Sequence, residues 1–595
     1  MDATDAIMKS SKVAWTGSLS ILLAVFSSCT SAVPDVLAPE TVLHNGKIVT
    51  VDEDFSIAQA VAIKDGRFVA VGSDSEILAL SGADTEVVDL EGKTVLPGFN
   101  DSHLHLAWPV GEAPNPAIPE LGAASSILEI VDIVRREVEA ASTDELVWIP
   151  FGPAVVNQIS EKRWPNKLDL DPVSPDNPVI LTFAADGVYV ANSVALAKAN
   201  LNRRTPQPYK SGLMGEFEID RRTGQLTGVM KGRSAAHLLR EPLGVWSTDV
   251  LEENIARSIE ADVIPYGITS LADPAMASNN QPIQHAFQKV ARRKEGQSVR
   301  LNLMIRVPVR ALSAEECIDL IQGLLFEPPF KNDFFRVGTF KLSMDKGYPG
   351  AKPYIVPEEK GRKVLIEGHK AGWQLYVHIT TPETFDYVSE ALEEAYELYP
   401  REDARHIFTH IPRPTQQNID TMKRLGIIAD LQVNRIWHLS DDAEERQTAN
   451  PERPDLGSRP VGTYRDAGIP VILSSDQAPV GPLFTVFEAV NRVRKSGKVF
   501  QPEERLTLEE AIRAVTITSA WTFFEDDLKG SIEAGKFADL VVLGRDILTV
   551  DPLEIKDIPV LMTMTGGKFV YVNPNQDPNQ EVKYYRYPQR TSYLD

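Results

Sequence analysis

Cysteine is almost absent: two residues in 595, Cys29 and Cys317. That excludes a disulfide framework and any zinc site built from thiolates. Basic charge is also short, with 61 Lys and Arg against 83 Asp and Glu, a formal net charge of −22 at pH 7. The Lys and Arg residues form no cluster, and a chain this acidic repels phosphate backbones, so nucleic acid is not an expected partner. There is no internal repeat, no low-complexity tract and no glycine loop of the phosphate-cradling pattern. What remains is ordinary globular composition, 43% hydrophobic and 24% charged, with length enough for a large core.

The longest uncharged stretch near the start, Val13 to Phe26, follows Lys9 and Lys12 and ends in Ser27-Ser28-Cys29. It is short for a bilayer span and suits the core of a signal peptide. Residues 1–29 are therefore expected to direct export to the periplasm or cell envelope, with Met1 or Met8 as the start. Phe-Ser-Ser-Cys resembles a lipoprotein box, which makes Cys29 a lipidation candidate and a lipid anchor the sole expected membrane contact. Cleavage after Ala32 is the alternative. Residues 30–40, with Pro34 and Pro39, would be a tether. Cys317 sits in a segment of helical apolar spacing, where a lone cysteine behaves as a small buried hydrophobe.

From Thr41 the pattern is short strands joined by Asn45-Gly46 and Asp65-Gly66, dipeptides that favour hairpin turns. The far end reads alike, around Gly566-Gly567. Residues 41–94 and 531–575 are expected to form one composite β-sandwich, with 576–595 as a tail. Between them, strand and helix signals alternate. Eight strand candidates cover 95–106, 267–273, 300–307, 338–345, 374–380, 406–411, 427–432 and 470–476. Eight strands in βα order predict an α/β fold, a (β/α)8 TIM-type barrel over 95–530. The first gap holds roughly 160 residues, far beyond a βα unit of about 30, so a subdomain is expected at about 107–260.

The chemistry starts at Pro97-Gly98-Phe99-Asn100-Asp101-Ser102-His103-Leu104-His105. In a strand, residues two apart share a face, so His103 and His105 present two imidazoles to one ion. His378, His410 and Asp476 fall near the ends of later strands. In a barrel the C-terminal strand ends converge, which makes these distant positions neighbours suited to a divalent ion. Lys341, on the fourth strand, reads as an ordinary lysine unless its amine is carboxylated and becomes an anionic bridge between two metals. Arg405, His406 and Gln432 are candidate substrate contacts, with Trp373 and Gln374 expected to pack.

Taken in order, LPGFNDSHLH, the NSVAL segment at Asn192 to Leu196, TGQLTG, GITSLAD, FKLSMD, WQLYVHI, ARHIFTHI, ILSSDQAP and GSIEAGKFADLVVL make the chain similar to the amidohydrolase superfamily. The resemblance is to its amidohydrolase-3 branch, which includes YtcJ-like and N-substituted formamide deformylase-like proteins, and it covers roughly 41–575. It implies His103 and His105 on a first metal, Lys341 as carboxylated bridge, His378 and His410 on a second, and Asp476 as first-metal ligand and general base, then acid. The implied cofactor is one or two divalent ions per chain, zinc first, manganese or iron as alternatives. Departures fall in the pocket: Asp186-Gly187 is followed by Val188 where a histidine is usual, Thr409 replaces a glutamate, and Thr380-Thr381-Pro382 follows His378-Ile379. The expected function is hydrolysis of a non-peptide carbon–nitrogen bond, an amide or N-acyl group, in a small-molecule substrate. Alternatives are a lactone, carbamate or cyclic-amide hydrolase on the same centre, and an inactive envelope scaffold. Oligomeric state is left open, a homo-oligomer included.

Overall fold

The computed structural model describes residues 38–582, apart from 107–123, 152–158, 184–187, 209–214, 232–237, 240–241, 244–246, 278–280, 294–297, 310–311, 325–328, 346–355, 440, 442–458 and 477–480. The leader, Cys29, most of the tether and most of the tail lie outside the described residues. No helix among the described residues is long and apolar enough to cross a membrane.

Eight parallel strands follow one another around one sheet: Phe99–Asp101, Ile268–Ala277, Arg300–Arg306, Phe335–Ser343, Gln374–His378, Ile407–Thr409, Ile428–Leu431 and Val471–Leu473. The first and last meet through a parallel bridge between Leu104 and Asp476, which closes the barrel. Parallel strands covered on both faces must be apolar nearly throughout, and Ile428–Leu431 and Ile407–Thr409 are buried at every position. Inside, Ala272, Met304, Tyr376, Ile407, Ile428 and Ile472 pack together with Phe523. Outside, helices start where a hydroxyl satisfies the free amides of the first turn: Thr381 accepts from Thr384 N, and Thr415 from Asn418 N. Each such cap contributes about 1 kcal/mol. Cys317 is buried on the helix Ala314–Gln322, and burial pushes its thiol up to about 11, which disfavours the reactive thiolate.

One sequence expectation divides in two. The segment 95–106 is not a single strand: Thr94–Pro97 belongs to the sandwich and Phe99–Asp101 to the barrel. Gly98 is the joint. A Cβ there would lie 2.1 Å from Thr269 Oγ1, so the close approach of the two layers tolerates only glycine.

The sandwich pairs a four-stranded sheet, Thr41–His44, Ala60–Lys64, Arg67–Gly72 and Glu86–Asp89, with a six-stranded one. The second sheet joins both chain ends, because Thr94–Pro97 runs antiparallel to Leu540–Leu543. Leu43, Ile48, Ile63, Val95, Leu540 and Met564 share its core. Asp539, in the Gly535 to Asp539 turn, fastens this domain to the barrel: Arg300 grips it through two bonds of 2.7 and 2.9 Å while lying over the Phe537 ring. A buried bidentate pair of this kind is costly to break from one side.

The insertion carries its own five-stranded sheet, including Val147–Phe151, Val179–Phe183 and Val188–Ala191, covered by the helix Ile127–Ala140. Asn192 of the NSVAL segment is buried here. Its Oδ1 accepts from Val179 N and Ala195 N, and its Nδ2 donates to the carbonyls of Ser174 and Asn177. That asparagine therefore caps a helix and ties it to the sheet, a structural reason for the motif.

Candidate active site

His103 and His105 lie just beyond the end of the first barrel strand, and Asp476 just beyond the end of the eighth. The backbones of these residues bond to each other across the closing seam: Asp476 N donates to His103 O at 2.6 Å, and His105 N to Asp476 O at 3.3 Å. Asp101 fixes both sides, its Oδ1 accepting from His103 N and Ser475 N. Burial drives the Asp101 carboxyl up to about 7 against those two bonds. The seam explains why positions so distant in sequence converge. One donor atom from each of His103, His105 and Asp476 lies within 4.8 Å of the others, all three residues buried.

His410 and Asp476 both have left-handed backbones, at φ 63° and 55°. Non-glycine residues in that region carry strain of about 1–3 kcal/mol and concentrate at functional sites. Here each turn aims a side chain into the barrel mouth. The His103 and His410 rings are 5.1 Å apart between centroids, and those of His378 and His410 4.4 Å. His378 Nε2 lies 3.3 Å from Asp345 Oδ2, and Thr380 N and Oγ1 hold the other oxygen of Asp345 at 2.7 and 2.8 Å. Asp345 was not singled out from sequence, although it ends the FKLSMD segment.

Burial is the main cause holding the histidines neutral. It lowers His103 to about 4 with help from Lys341, lowers His105, and lowers His410 well below the usual range. Neutral imidazoles offer the lone pairs a metal needs. Burial works to raise Asp476, but Arg435 and the imidazoles of His103 and His105 outweigh it and hold the carboxyl well below its usual range. Lys341 points its amine over the Tyr376 ring at 4.4 Å, buried and without a hydrogen-bond partner. Burial, despite the pull of Asp476 and Asp430, brings that ammonium down to about 7. It is neither a surface lysine nor a member of an ion pair among the described residues.

Behind His103 stands a polar layer that sequence reasoning missed. His103 Nδ1 meets Tyr376 Oη at 2.8 Å, and that hydroxyl donates to Asp430. Asp430 also receives Thr409 Oγ1 at 2.7 Å, Ser474 Oγ at 2.7 Å and Gln432 Nε2 at 2.8 Å. With Nδ1 engaged as donor, His103 Nε2 is left facing His105 and Asp476, the arrangement by which outer carboxylates orient metal-binding histidines. The signal was present: an acid within the apolar strand IIADLQ requires buried partners.

Gln432 is thus placed in this supporting layer, not in the open mouth. Arg405 and His406 are also displaced from their expected role, since both precede the sixth strand and lie at the opposite end from His410. Arg405 stacks on Trp521 and Phe524 and pairs with Asp403. His406 Nδ1 accepts from Leu375 N, its Nε2 meets His369 Nδ1 at 2.9 Å, and His369 Nε2 donates to Tyr399 O. This chain of bonds leaves no site for an extra proton. Burial lowers His369 and, with His369 and Arg401, lowers His406 well below the usual range. The unfolded imidazoles titrate near 6.5, so this stability is complete above that pH and is lost as the pH falls from there toward the folded values. His406→Gln is expected to reduce the acid-side slope of unfolding free energy by up to about 1.4 kcal/mol per pH unit. Urea melts between pH 5 and 8 check this; an unchanged slope would refute it.

With the geometry in place, comparison with known proteins is decisive at the family level. Residues 86–571 match the family model described as the amidohydrolase family. The chain belongs to the amidohydrolase family. It is accordingly a hydrolase of carbon–nitrogen bonds. It is 28% identical over 576 residues to N-substituted formamide deformylase of Arthrobacter pascens, covering 89% of this chain and 98% of that one. It is 24% identical over 560 residues to the putative amidohydrolase YtcJ of Bacillus subtilis (strain 168), covering 89% and 99%. Among solved structures, an uncharacterised metal-dependent hydrolase from Pyrococcus horikoshii OT3 superposes with a TM-score of 0.66 at 21% identity, over 86% of this chain and 99% of that one. That likeness shows the shared fold.

Proposed function

We propose that this amidohydrolase cleaves an amide or N-acyl bond of a small molecule at a divalent metal centre. The observation that carries the reading is the meeting of His103, His105 and Asp476 at the barrel's closing seam. The donor set fits a metal: two neutral imidazoles and an ionised carboxylate, all buried, with the neighbouring Lys341 amine lacking a partner. Nitrogen and oxygen donors of this kind suit zinc, with manganese or iron as alternatives. His103, His105 and Asp476 would hold a first ion, and His378 and His410 a second. A divalent ion in such a site lowers the pKa of water and polarises the scissile carbonyl.

The chain's own residues supply the proton handling. Asp476, held ionised, takes a proton from the attacking water and returns it to the leaving nitrogen, so one carboxylate acts as base and then acid. Asp430, through Tyr376, keeps His103 in one tautomer. Lys341, neutral over part of its population at pH 7, adds to carbon dioxide by forming a nitrogen–carbon bond and releasing one proton. The resulting carbamate would give the centre a further anionic ligand.

Hydrolysis by the metal-loaded protein tests the reading, followed as amine release from N-acyl amino acids, N-acyl amines, formamides and aryl amides and as hydroxy-acid formation from lactones. Hydrolysis of at least one amide class is expected. Turnover restricted to lactones would overturn it.

A further inference from the structure

Arg435 was absent from the sequence-derived site, yet its guanidinium pairs with Asp476. The two oxygens of Asp476 face different ways. Oδ1 lies 3.2 and 3.7 Å from the Nε2 atoms of His105 and His103, while Oδ2 is held by Arg435 Nη2. The arginine projects from the turn Val433–His438, whose Val433, Asn434 and Ile436 are buried. Asn434 Nδ2 donates to Ser475 O at 2.8 Å, which locks this turn to the residue before Asp476. Arg435 is thereby held in register with the catalytic carboxylate by a neighbour and not only by its own ion pair.

Its side chain is 40% exposed, in contrast to Asp476 at 4%. A guanidinium has five donors in a planar fork, and the contact with Asp476 uses one nitrogen. Partial exposure beside a buried reacting carboxylate is the position of a group that meets substrate.

We propose that Arg435 is a specificity residue that binds a carboxylate carried by the leaving amine, so that the preferred substrates are N-acyl amino acids. The inference rests on the amide-hydrolase reading above. The leaving nitrogen must come within hydrogen-bond reach of Asp476 to be protonated. A carboxylate on the carbon attached to that nitrogen then falls beside the guanidinium paired with the same aspartate. Arginine suits the task, since its fork matches a carboxylate through two parallel bonds.

The test compares kcat/KM of the metal-loaded enzyme for an N-acetyl amino acid, in both enantiomers, with that for the N-acetyl amine lacking only the carboxylate. Wild type is expected to favour the better acid enantiomer by about 100-fold, the scale of charge-assisted hydrogen bonds. Arg435→Gln should bring this ratio close to unity, chiefly by raising KM for the acid, and Arg435→Lys should retain part of it. In calorimetry, the product amino acid should bind Arg435→Gln about 100-fold more weakly than wild type. An equal fall for acid and amine in Arg435→Gln would overturn the proposal and reduce Arg435 to an ion-pair partner of Asp476. A wild-type preference for the amine would overturn it while leaving amide hydrolysis intact. Failure of wild type to cleave either compound, or the formamides and aryl amides, would instead sink the amide-hydrolase reading on which it rests.

Discussion

Replacing Asp476 by asparagine is expected to lower kcat by at least about 1,000-fold, near 4 kcal/mol in the barrier, with bound metal close to the wild-type amount. The asparagine oxygen retains a donor toward His103 and His105, and the backbone bonds of residue 476 across the seam do not involve the side chain. What disappears is the ability to take up a proton. The imidazoles and Arg435 hold Asp476 ionised despite its burial, so it is in the form that can accept a proton. The loss of its pair with half-exposed Arg435 adds little, because exposed ion pairs contribute only modestly. Steady-state kinetics with parallel metal analysis checks the prediction. Activity within ten-fold of wild type would remove Asp476 as the proton carrier.

Lys341→Met carries a second large effect, with opposite signs in the two states of the protein. In metal-free protein the substitution is expected to stabilise the fold by about 1–3 kcal/mol, since it replaces a buried amine that has no hydrogen-bond partner with an apolar chain of similar length. In metal-loaded protein it should lower the metal stoichiometry and the activity together, because it removes the amine from which the proposed bridging carbamate would form. A lysine whose purpose was structural would show the reverse order, destabilising the metal-free form. Denaturant melts with and without chelator, read beside metal content, separate the two. Unaltered metal content at wild-type affinity would exclude the bridging role.

The barrel was legible because each strand is a short apolar run and the candidate ligands recur at the ends of those runs. His103 and His105 were visible as a pair two residues apart, and His378, His410 and Asp476 followed from the convergence of strand ends. The single run 95–106 misled because no hydropathy change marks Gly98; only the 2.1 Å approach of Thr269 makes it a joint. Arg405 and His406 were misplaced for a different reason. Both sit before their strand, at the end opposite to the chemistry in a parallel barrel, so strand direction alone argued against them. The support for His103 was hidden in pairwise contacts among Tyr376, Thr409, Asp430 and Ser474, which come from four different strand segments. Arg435 carried no periodic signal, since it lies on a single turn beyond a strand.

Several departures from the family pattern acquire physical meaning in the same way. Thr409, in place of a glutamate, donates to Asp430 and so belongs to the apparatus that orients His103. Thr380 fixes Asp345 against His378. The altered residues pack behind His103 and His378, so the candidate donor atoms keep their places while the surroundings differ.

Hydrolysis is expected to require a divalent ion held at the seam between the first and eighth strands. Metal-to-protein ratio by elemental analysis tests it most directly, measured on wild type and on the His103→Ala, His105→Ala double variant. Wild type is expected to hold about one to two equivalents of zinc, manganese or iron, removed by chelator together with activity, and the double variant almost none. A wild-type enzyme fully active without metal, or a double variant that binds as much as wild type, would contradict it.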